Sequence, residues 1–376
     1  MANSTLSTFQ SALSTLYGPL DPSSIQNPST WTPPQASGGH KGRYLWTDAF
    51  GVLCFITLHK ESTRLKTSKN GNEGVYLTLA SRLISTVHDV LGYNRAGTSR
   101  LPGATDSNPL GGGLRIGKYN EGGMDGDGQY HHYLTLWMFA LNRMSLATNN
   151  PAYNQQAISL AKAIHNPFFV NRSSERPRMV WKMDMNLQNV LVGSEGHLDA
   201  IDGFIVCRIL QAVSSHFGGD QNVLKEEIED YVKVMKRRGE HHPSSDTLDL
   251  GMTLWSVHWF ADEEWAKTLA DRCFERLYDL IETDQQLARS TKYRLAFREF
   301  GTALGAKCMA AQENEKERAG DLKAYGDQIL EAWKINMEAS LSGTPEDLKP
   351  ITRVMYAAAL IPGAFQRGYL GPEPVM

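Results

Sequence analysis

The sequence predicts an all-α protein in which six helical hairpins close into a ring. Three observations predict this fold. Apolar residues recur with the helical period of 3.6 from residue 45 almost to the end of the chain, whereas alternating β-branched runs are nearly absent. The helical segments come in pairs, each an apolar segment followed by a more charged, amphipathic one. Turns rich in glycine and acid lead into apolar segments, which places polar groups at helix starts.

The six predicted hairpins are 45–60 with 74–92, 128–147 with 151–166, 197–216 with 222–238, 247–261 with 262–283, 292–312 with 315–340, and 349–366 with 2–17 as its candidate partner. The apolar members start roughly 45 to 85 residues apart, which is too irregular for an open solenoid of fixed repeat. A helix that is apolar all round must be buried, so the apolar members are predicted to form an inner barrel.

Three segments lie outside the hairpins. Residues 19–42 are rich in Pro, Ser, Gly and Asn, which predicts an irregular arm, either a lid or a strap. The long connections 93–127 and 167–196 are expected to fold over the cavity, because loops of this length are usually functional or disordered. We therefore expect an N-terminal helix and arm over 1–42 and a toroid domain over 43–376.

The composition excludes several classes of function. Charged residues make up 21% of the chain and the net charge is −3, so no broad basic surface for nucleic acid is expected. The basic run 233–238 is interpreted as cations that complement a helix end. No signal-peptide pattern or apolar run of ~18 residues occurs, which predicts a cytoplasmic protein without membrane contact. The cysteines are expected to be reduced core thiols; they are Cys54, Cys207, Cys273 and Cys308.

One acidic turn precedes the helix predicted at 197–216. Asp199 and Asp202 are three residues apart and therefore share a helix face. Two neighbouring carboxyls can separate their pKa values, so that one acts as an acid and the other as a base. His197 is a candidate for proton transfer, and Glu195 for substrate contact. The alternative is that Glu195 and Asp199 only cap the helix.

A second such turn contains Asp125 and Asp127 and leads to His131. Asp127 is predicted to be the N-cap of the next helix, with His131 four residues later on the same face. A calcium loop starting at Asp125 would need glutamate at its twelfth position, where this chain has Leu136. Zinc, phosphate-loop, dinucleotide and nucleophile-elbow motifs are also missing. The sequence therefore predicts no metal and no cofactor, and leaves open substrate contact, proton transfer or capping for this turn.

The remaining candidates are aromatic and charged residues near helix starts. Those predicted to bind substrate are Trp46, Asp48, Tyr130, Trp181, Trp255, Arg294, Arg298 and Arg353. Aromatic rings stack on the faces of sugars, although they suit any flat apolar molecule equally well. The arginines are either a clamp for an anionic substrate group or partners of Glu299 and Asp249. Lys182 is expected to be a surface charge if the neighbouring Met183 faces the barrel.

The segment Tyr44-Leu-Trp-Thr-Asp-Ala-Phe-Gly51 resembles the Trp-Thr-x-Gly-Phe segment that starts an inner helix in unsaturated glucuronyl hydrolases, with Ala49 in place of the glycine. The paired helices likewise resemble the six-hairpin, (α/α)6 toroid superfamily, which also includes N-acylglucosamine 2-epimerases. The segments 127–138 and 181–185 look like a bacterial and fungal branch of that superfamily with no settled activity. The resemblance implies an (α/α)6 barrel and an enzyme that acts on sugars.

Taken together, the residues and the resemblance favour a cofactor-free enzyme that acts on a small-molecule substrate, a sugar or glycoside. Carboxylates and histidines at the toroid rim would supply acid–base catalysis, and the two acidic turns are expected to converge on one pocket. Two alternatives stay open. One is an isomerase, cyclase or dehydratase of an apolar biosynthetic intermediate, and the other is a binding protein that performs no catalysis. The oligomeric state is not predicted.

Overall fold

The protein is represented by a computed structural model, which describes residues 2–25, 27–65, 74–123, 125–239 and 241–376. Its helices are α1 (Ala2–Tyr17), α2 (Leu45–Arg64), α3 (Val75–Leu91), α4 (His131–Thr148), α5 (Pro151–Phe168), α6 (Asp199–His216), α7 (Lys225–Arg238), α8 (Thr247–Val257), α9 (Glu264–Tyr278), α10 (Ala296–Ala310), α11 (Lys316–Glu338) and α12 (Lys349–Leu360). Each predicted helical segment corresponds to one of these helices, with ends that differ by a few residues. The all-α prediction is confirmed.

The described residues also form five short strands, which were not predicted. They are β1 (Gln129–Tyr130), β2 (Phe169–Val170), β3 (Arg178–Met179), β4 (Lys182–Met183) and β5 (Val190–Val192). Strand β4 lies between β1 and β5 in an antiparallel sheet, and β2 pairs with β3. Tyr130 is opposite Lys182 in this sheet, so the loop before α4 is hydrogen-bonded to the loop before α6. Strands this short carry no alternating pattern in the sequence.

The chain forms two compact units, one of Thr15–Gly239 with Pro372–Met376 and the other of Met1–Ser14 with Glu240–Gly371. In the first, which we call the site unit, α2 packs on α4 and α4 packs on α6. Each of these three helices also packs on the helix that follows it. Nearly all residues of α2 are buried, whereas α7 buries only one face, as predicted for inner and outer helices.

The other unit, which we call the second unit, contains α8 to α12. Helix α10 packs on α8, α11 and α12. Glycine allows the backbones of α8 and α10 to touch, since a Cβ added at Gly305 would lie 1.9 Å from the carbonyl oxygen of Gly251. The first fourteen residues of the chain belong to this unit, together with α12. The predicted domain division after residue 42 stays a prediction.

Two expectations from composition concern buried and apolar residues. All four cysteines are free and buried, as predicted. Within the described ranges, no helix has both the length and the apolar character needed to cross a membrane. The core of each unit is instead built from helices whose apolar residues contact one another.

Candidate functional site

A group of aromatic rings, two histidines and one carboxylate lies where α2, α4 and α6 begin in the site unit. We call it the rim cluster; its members are Tyr44, Trp46, Tyr130, His131, His132, Tyr133, Trp181 and Asp199. Tyr130 is the N-cap of α4, so the following residues form its first turn and point in different directions from the helix end. Tyr44 is the N-cap of α2, and Asp199 is the first residue of α6.

The pairing of β1 with β4 positions Trp181 in the rim cluster. Its ring is stacked on that of Tyr130, with the centroids 5.2 Å apart and the planes 2° from parallel. Lys182 follows it and is fully buried, with its Nζ 5.1 Å from the centre of the Tyr130 ring and donating to the carbonyl of Gly126 at 2.6 Å. The expectation that Lys182 is a surface charge is wrong, because strand pairing turns its side chain inward.

Trp181 also determines the protonation of His132. The indole N–H of Trp181 donates to Nδ1 of His132 at 3.2 Å, so this nitrogen accepts and carries no hydrogen. Burial lowers the pKa of His132, which keeps the ring neutral at pH 7. Its hydrogen is therefore on Nε2. The side chain is 25% exposed, and Nδ1 lies 3.9 Å from Oδ1 of Asp199.

For His131 we infer the opposite tautomer from the two groups beside its ring, Tyr231 and Asp199. The Tyr231 hydroxyl lies 2.9 Å from Nε2 of His131, while Nδ1 lies 3.8 Å from Oδ1 of Asp199. Burial lowers the pKa of His131 to about 3 and raises that of Tyr231, so both groups are neutral. With its hydrogen on Nδ1, His131 can accept the Tyr231 hydroxyl at Nε2. The same tautomer directs an N–H towards the Asp199 carboxylate, where the other tautomer would direct a lone pair.

Close helix packing places Tyr231 at this point. A Cβ added at Gly203 would lie 2.3 Å from the Tyr231 ring, so α6 and α7 approach closely only because residue 203 is glycine. The Tyr231 ring is nearly fully buried and contacts that of His131, with 5.7 Å between centroids. Gly203 could have indicated this contact from the sequence, since a glycine in the first turns of a buried helix often marks the close approach of another helix.

Asp199 and Asp202 are both buried in the first turn of α6. A carboxylate is stabilised there by the unpaired N–H groups and the partial positive charge of the helix end. The Asp199 carboxylate turns back over Gly196, where an added Cβ would lie 2.3 Å from Oδ2. His197 is half-buried in the turn before Asp199. Glu195 pairs with Arg237 and accepts a backbone N–H, so it fastens this turn.

Asp127 does not join the rim cluster, and the prediction that it caps the next helix is wrong. It is buried and pairs with Arg115 and, at 2.8 Å, with Arg95. Its other oxygen accepts three backbone N–H groups, among them that of Gly117 at 2.9 Å. These donors organise the loop, and Tyr130 caps α4 instead. Asp125 is exposed. The two acidic turns predicted from the sequence therefore approach each other at His131 and Asp199, and Asp127 takes no part in this contact.

Trp46 lines the cluster, whereas Asp48 faces the N-terminal arm. The Trp46 ring is 4% exposed and lies 5.9 Å from His132, and among the described residues its indole N–H has no hydrogen-bond partner. Asp48 is fully buried and accepts from the Ser37 hydroxyl at 2.5 Å and from Arg43 at 3.3 Å. Burial raises the pKa of Asp48, and these donors lower it. Asp48 therefore connects the arm to the first turn of α2.

The second unit contains the remaining predicted contacts, which are Trp255, Arg294, Arg298 and Arg353. Arg294 is buried and forms two hydrogen bonds with Glu299, of 2.8 and 2.5 Å, as the structural alternative predicted. Arg298 pairs with Asp246, which caps α8. Trp255 is buried and donates its indole N–H to a backbone carbonyl at 3.1 Å. Arg294 and Arg298 thus stabilise this unit through their own ion pairs.

Three members of the rim cluster were not predicted. Successive residues of a helix point about 100° apart, yet at the start of α4 both His131 and His132 lie within 4 Å of the same carboxylate. Tyr133 lies 4.7 Å from the His132 ring, and its hydroxyl is hydrogen-bonded to that of Tyr44 at 2.7 Å. The run of four aromatic or imidazole rings at residues 130–133 was the available signal. Over the described residues, no three His, Cys, Asp or Glu side chains are grouped to hold a metal ion.

No protein-family model and no curated protein sequence matches the chain. Among solved structures, it is similar to an α-mannanase of glycoside hydrolase family 76 from Bacteroides thetaiotaomicron, with a TM-score of 0.56, 10% identity and coverage of 96% of this chain and 95% of that one. The Lin0763 protein from Listeria innocua gives a TM-score of 0.52, 12% identity and coverage of 95% and 97%. Cellobiose 2-epimerase from Spirochaeta thermophila gives a TM-score of 0.51 and 10% identity, with coverage of 96% of this chain and 97% of that one. All three are six-hairpin toroids, so the chain adopts the (α/α)6 toroid fold, as its sequence predicted.

Proposed function

We propose that this protein is an enzyme that acts on a sugar or glycoside, with Asp199 as its acid–base group. One observation supports this most: a buried carboxylate at a helix start lies 3.8 and 3.9 Å from ring nitrogens of His131 and His132. Similarity of fold to an α-mannanase and a cellobiose 2-epimerase adds support. The proposed chemistry needs only acid–base groups and no cofactor.

Asp199 lies at a helix start, where the partial positive charge favours the ionised form of a carboxyl group, which suits it to accept a proton. His131 turns an N–H towards it, but 3.8 Å exceeds a normal hydrogen bond and leaves a hydroxyl oxygen or water room to bridge. His132 carries its hydrogen on Nε2 and is partly exposed, so it can donate to a second substrate oxygen. Asp202, one turn further along α6, is the proposed second carboxyl of the pair.

The rings of the rim cluster form a wall suited to a sugar. Tyr130 and Trp181 are stacked face to face, and the His132 ring lies 6.0 Å from Trp181 at 15° from parallel. The Trp46 indole N–H is a buried donor with no hydrogen-bond partner among the described residues. A ligand with hydroxyl groups on a flat apolar face satisfies such a donor and covers the rings. This favours carbohydrate over a purely apolar substrate.

The test is a panel of neutral and anionic oligosaccharides incubated with the wild-type protein and with Asp199→Asn. Products are followed by NMR, which distinguishes a new reducing end from inversion at one carbon. We expect Asp199→Asn to lower turnover by about 10²- to 10⁴-fold, the usual contribution of a general acid or base. Asp106→Asn, at an exposed carboxylate, is the matched control. Full activity of Asp199→Asn, or wild-type binding without any product, would refute the proposal.

A further inference from the structure

A second concave region of the site unit is lined by charged side chains and lies between the last turns of α7 and the loop that leads into β3. We call it the basic pocket; it is lined by Glu175, Arg176, Arg178, Lys233, Lys236 and Arg237. Its volume of about 670 Å³ is in the range of pockets that bind small molecules. Five of these six side chains are cationic, in a chain whose net charge is −3.

Helix capping explains only part of this charge. Lys233, Lys236 and Arg237 lie on one face of α7 near its C-terminus, where cations complement the helix dipole. Like charges three and four residues apart nevertheless destabilise a helix. Arg176 and Arg178 come from another segment, so the dipole of α7 gives no reason for their position.

The carboxylates that pair with the pocket's cations do not neutralise its net positive charge. Lys233 pairs with Asp230 at 2.9 Å, and Arg237 pairs with Glu195. In the part of the chain that the structure describes, no ion pair involves Arg176, Arg178 or Lys236. These three cations come from two segments and line the pocket together with one carboxylate, that of Glu175, while Arg178 also donates to the Gly193 carbonyl at 3.3 Å. An anion bound between the cations would offset the repulsion among them.

We infer that the basic pocket binds a compact, multiply charged anion bearing phosphate or sulfate groups. Arginine donates two parallel hydrogen bonds to such oxyanions, and the pocket contains three arginines. A long polyanion would need a continuous basic stripe, and the described lining residues include no ring for a base to stack on. This site goes beyond the proposed function, because it uses no member of the rim cluster.

The test is calorimetric titration of the full chain with inorganic tripolyphosphate and, in parallel, with sucrose octasulfate, at low and at physiological salt. The two ligands distinguish phosphate from sulfate groups. The variant is Arg178→Gln/Lys236→Gln. The control, Lys162→Gln/Lys225→Gln, removes the same charge from exposed positions of the same unit. Circular dichroism checks that both fold.

We expect one saturable site for at least one anion, weakened about tenfold or more in the pocket variant and less than twofold in the control. Asp199→Asn should bind the anion as the wild type does, so failure of the proposed enzymatic function would not affect this result. Three outcomes would overturn the inference: no saturable binding of either anion, equal weakening in both double variants, or tighter binding of a 12-nucleotide single strand that depends on Arg178 and Lys236.

Discussion

We infer that the Tyr231 hydroxyl donates to Nε2 of His131 and so keeps the hydrogen of His131 on the nitrogen nearer Asp199, and Tyr231→Phe tests this directly. The substitution keeps the ring that packs against Gly203 and removes only the oxygen, which lies 2.9 Å from Nε2 of His131. Because the His131 side chain is fully buried, no solvent replaces the lost donor. Nε2 is then left as a buried polar atom without its partner.

The size of the effect follows from this geometry. A buried polar atom that loses its partner costs about 1–3 kcal/mol, so we expect the free energy of unfolding to fall by that amount. The Tyr231 hydroxyl also stabilises the Nδ1–H tautomer of His131 relative to the other by about the free energy of one hydrogen bond. Loss of about 1 kcal/mol changes the ratio of the two His131 tautomers about fivefold towards Nε2–H. Turnover should fall to a similar extent if His131 acts on the substrate through its Nδ1–H.

The assay is long-range proton–nitrogen NMR of the histidine rings, with His131 assigned from a His131→Gln variant. Tyr76→Phe is the matched control, because its buried hydroxyl donates to the Leu20 carbonyl at 2.8 Å. Both variants should lose comparable stability, and only Tyr231→Phe should change the His131 nitrogens. A wild-type His131 protonated on Nε2, or identical His131 nitrogen shifts in both variants, would refute the reasoning.

Two further predictions concern stability. Burial lowers the pKa values of His88, His131 and His132 to about 3, so below pH 6.5 the unfolded chain binds protons that the folded chain does not. The unfolding free energy should therefore decrease by about 3 kcal/mol from pH 6.5 to 5.5, as measured by urea denaturation. Arg115→Met should cost about 3 kcal/mol in the same assay, because it removes a fully buried partner of Asp127.

Both predictions have exposed controls. His216→Gln, at an exposed position, should leave the pH dependence unchanged, whereas a variant lacking His88 should lose about a third of it. A stability that is constant between pH 6.5 and 5.5 would contradict the neutral, buried histidines. Arg100→Met removes the partner of Asp106, which is 98% exposed, and should change stability little. Equal effects of Arg115→Met and Arg100→Met would mean that burial of the Asp127 pair is not stabilising.

The helices were predictable because each depends on a periodic pattern within its own segment. The inner helix α2 is apolar all round and the outer helix α7 is amphipathic, and both properties can be read without knowing any contact. The residues that determine where a helix starts and ends also lie largely within the same segment of the sequence. Asn150 and Pro151 mark the start of α5, where the asparagine side chain accepts the N–H of residue 152.

The geometry of the rim cluster was not predictable, because it depends on contacts between distant segments. Trp181 reaches His132 only because β4 pairs with β1, and neither strand exceeds two residues. No periodicity exists in two residues, so the sequence placed Trp181 near the cavity but did not relate it to a partner. Lys182 was misplaced for the same reason.

Asp127 and Asp199 looked alike in the sequence, since both follow glycines just before an apolar helix. What separates them is the partner that the chain brings to each. Asp127 is surrounded by Arg115, Arg95 and backbone N–H groups, which hold it as a structural anion. Asp199 lies instead 3.8 and 3.9 Å from ring nitrogens of His131 and His132, which burial keeps neutral. The guanidinium groups beside Asp127 stay protonated, whereas a neutral histidine can accept or donate a proton, and this difference makes Asp199 rather than Asp127 the proposed acid–base group.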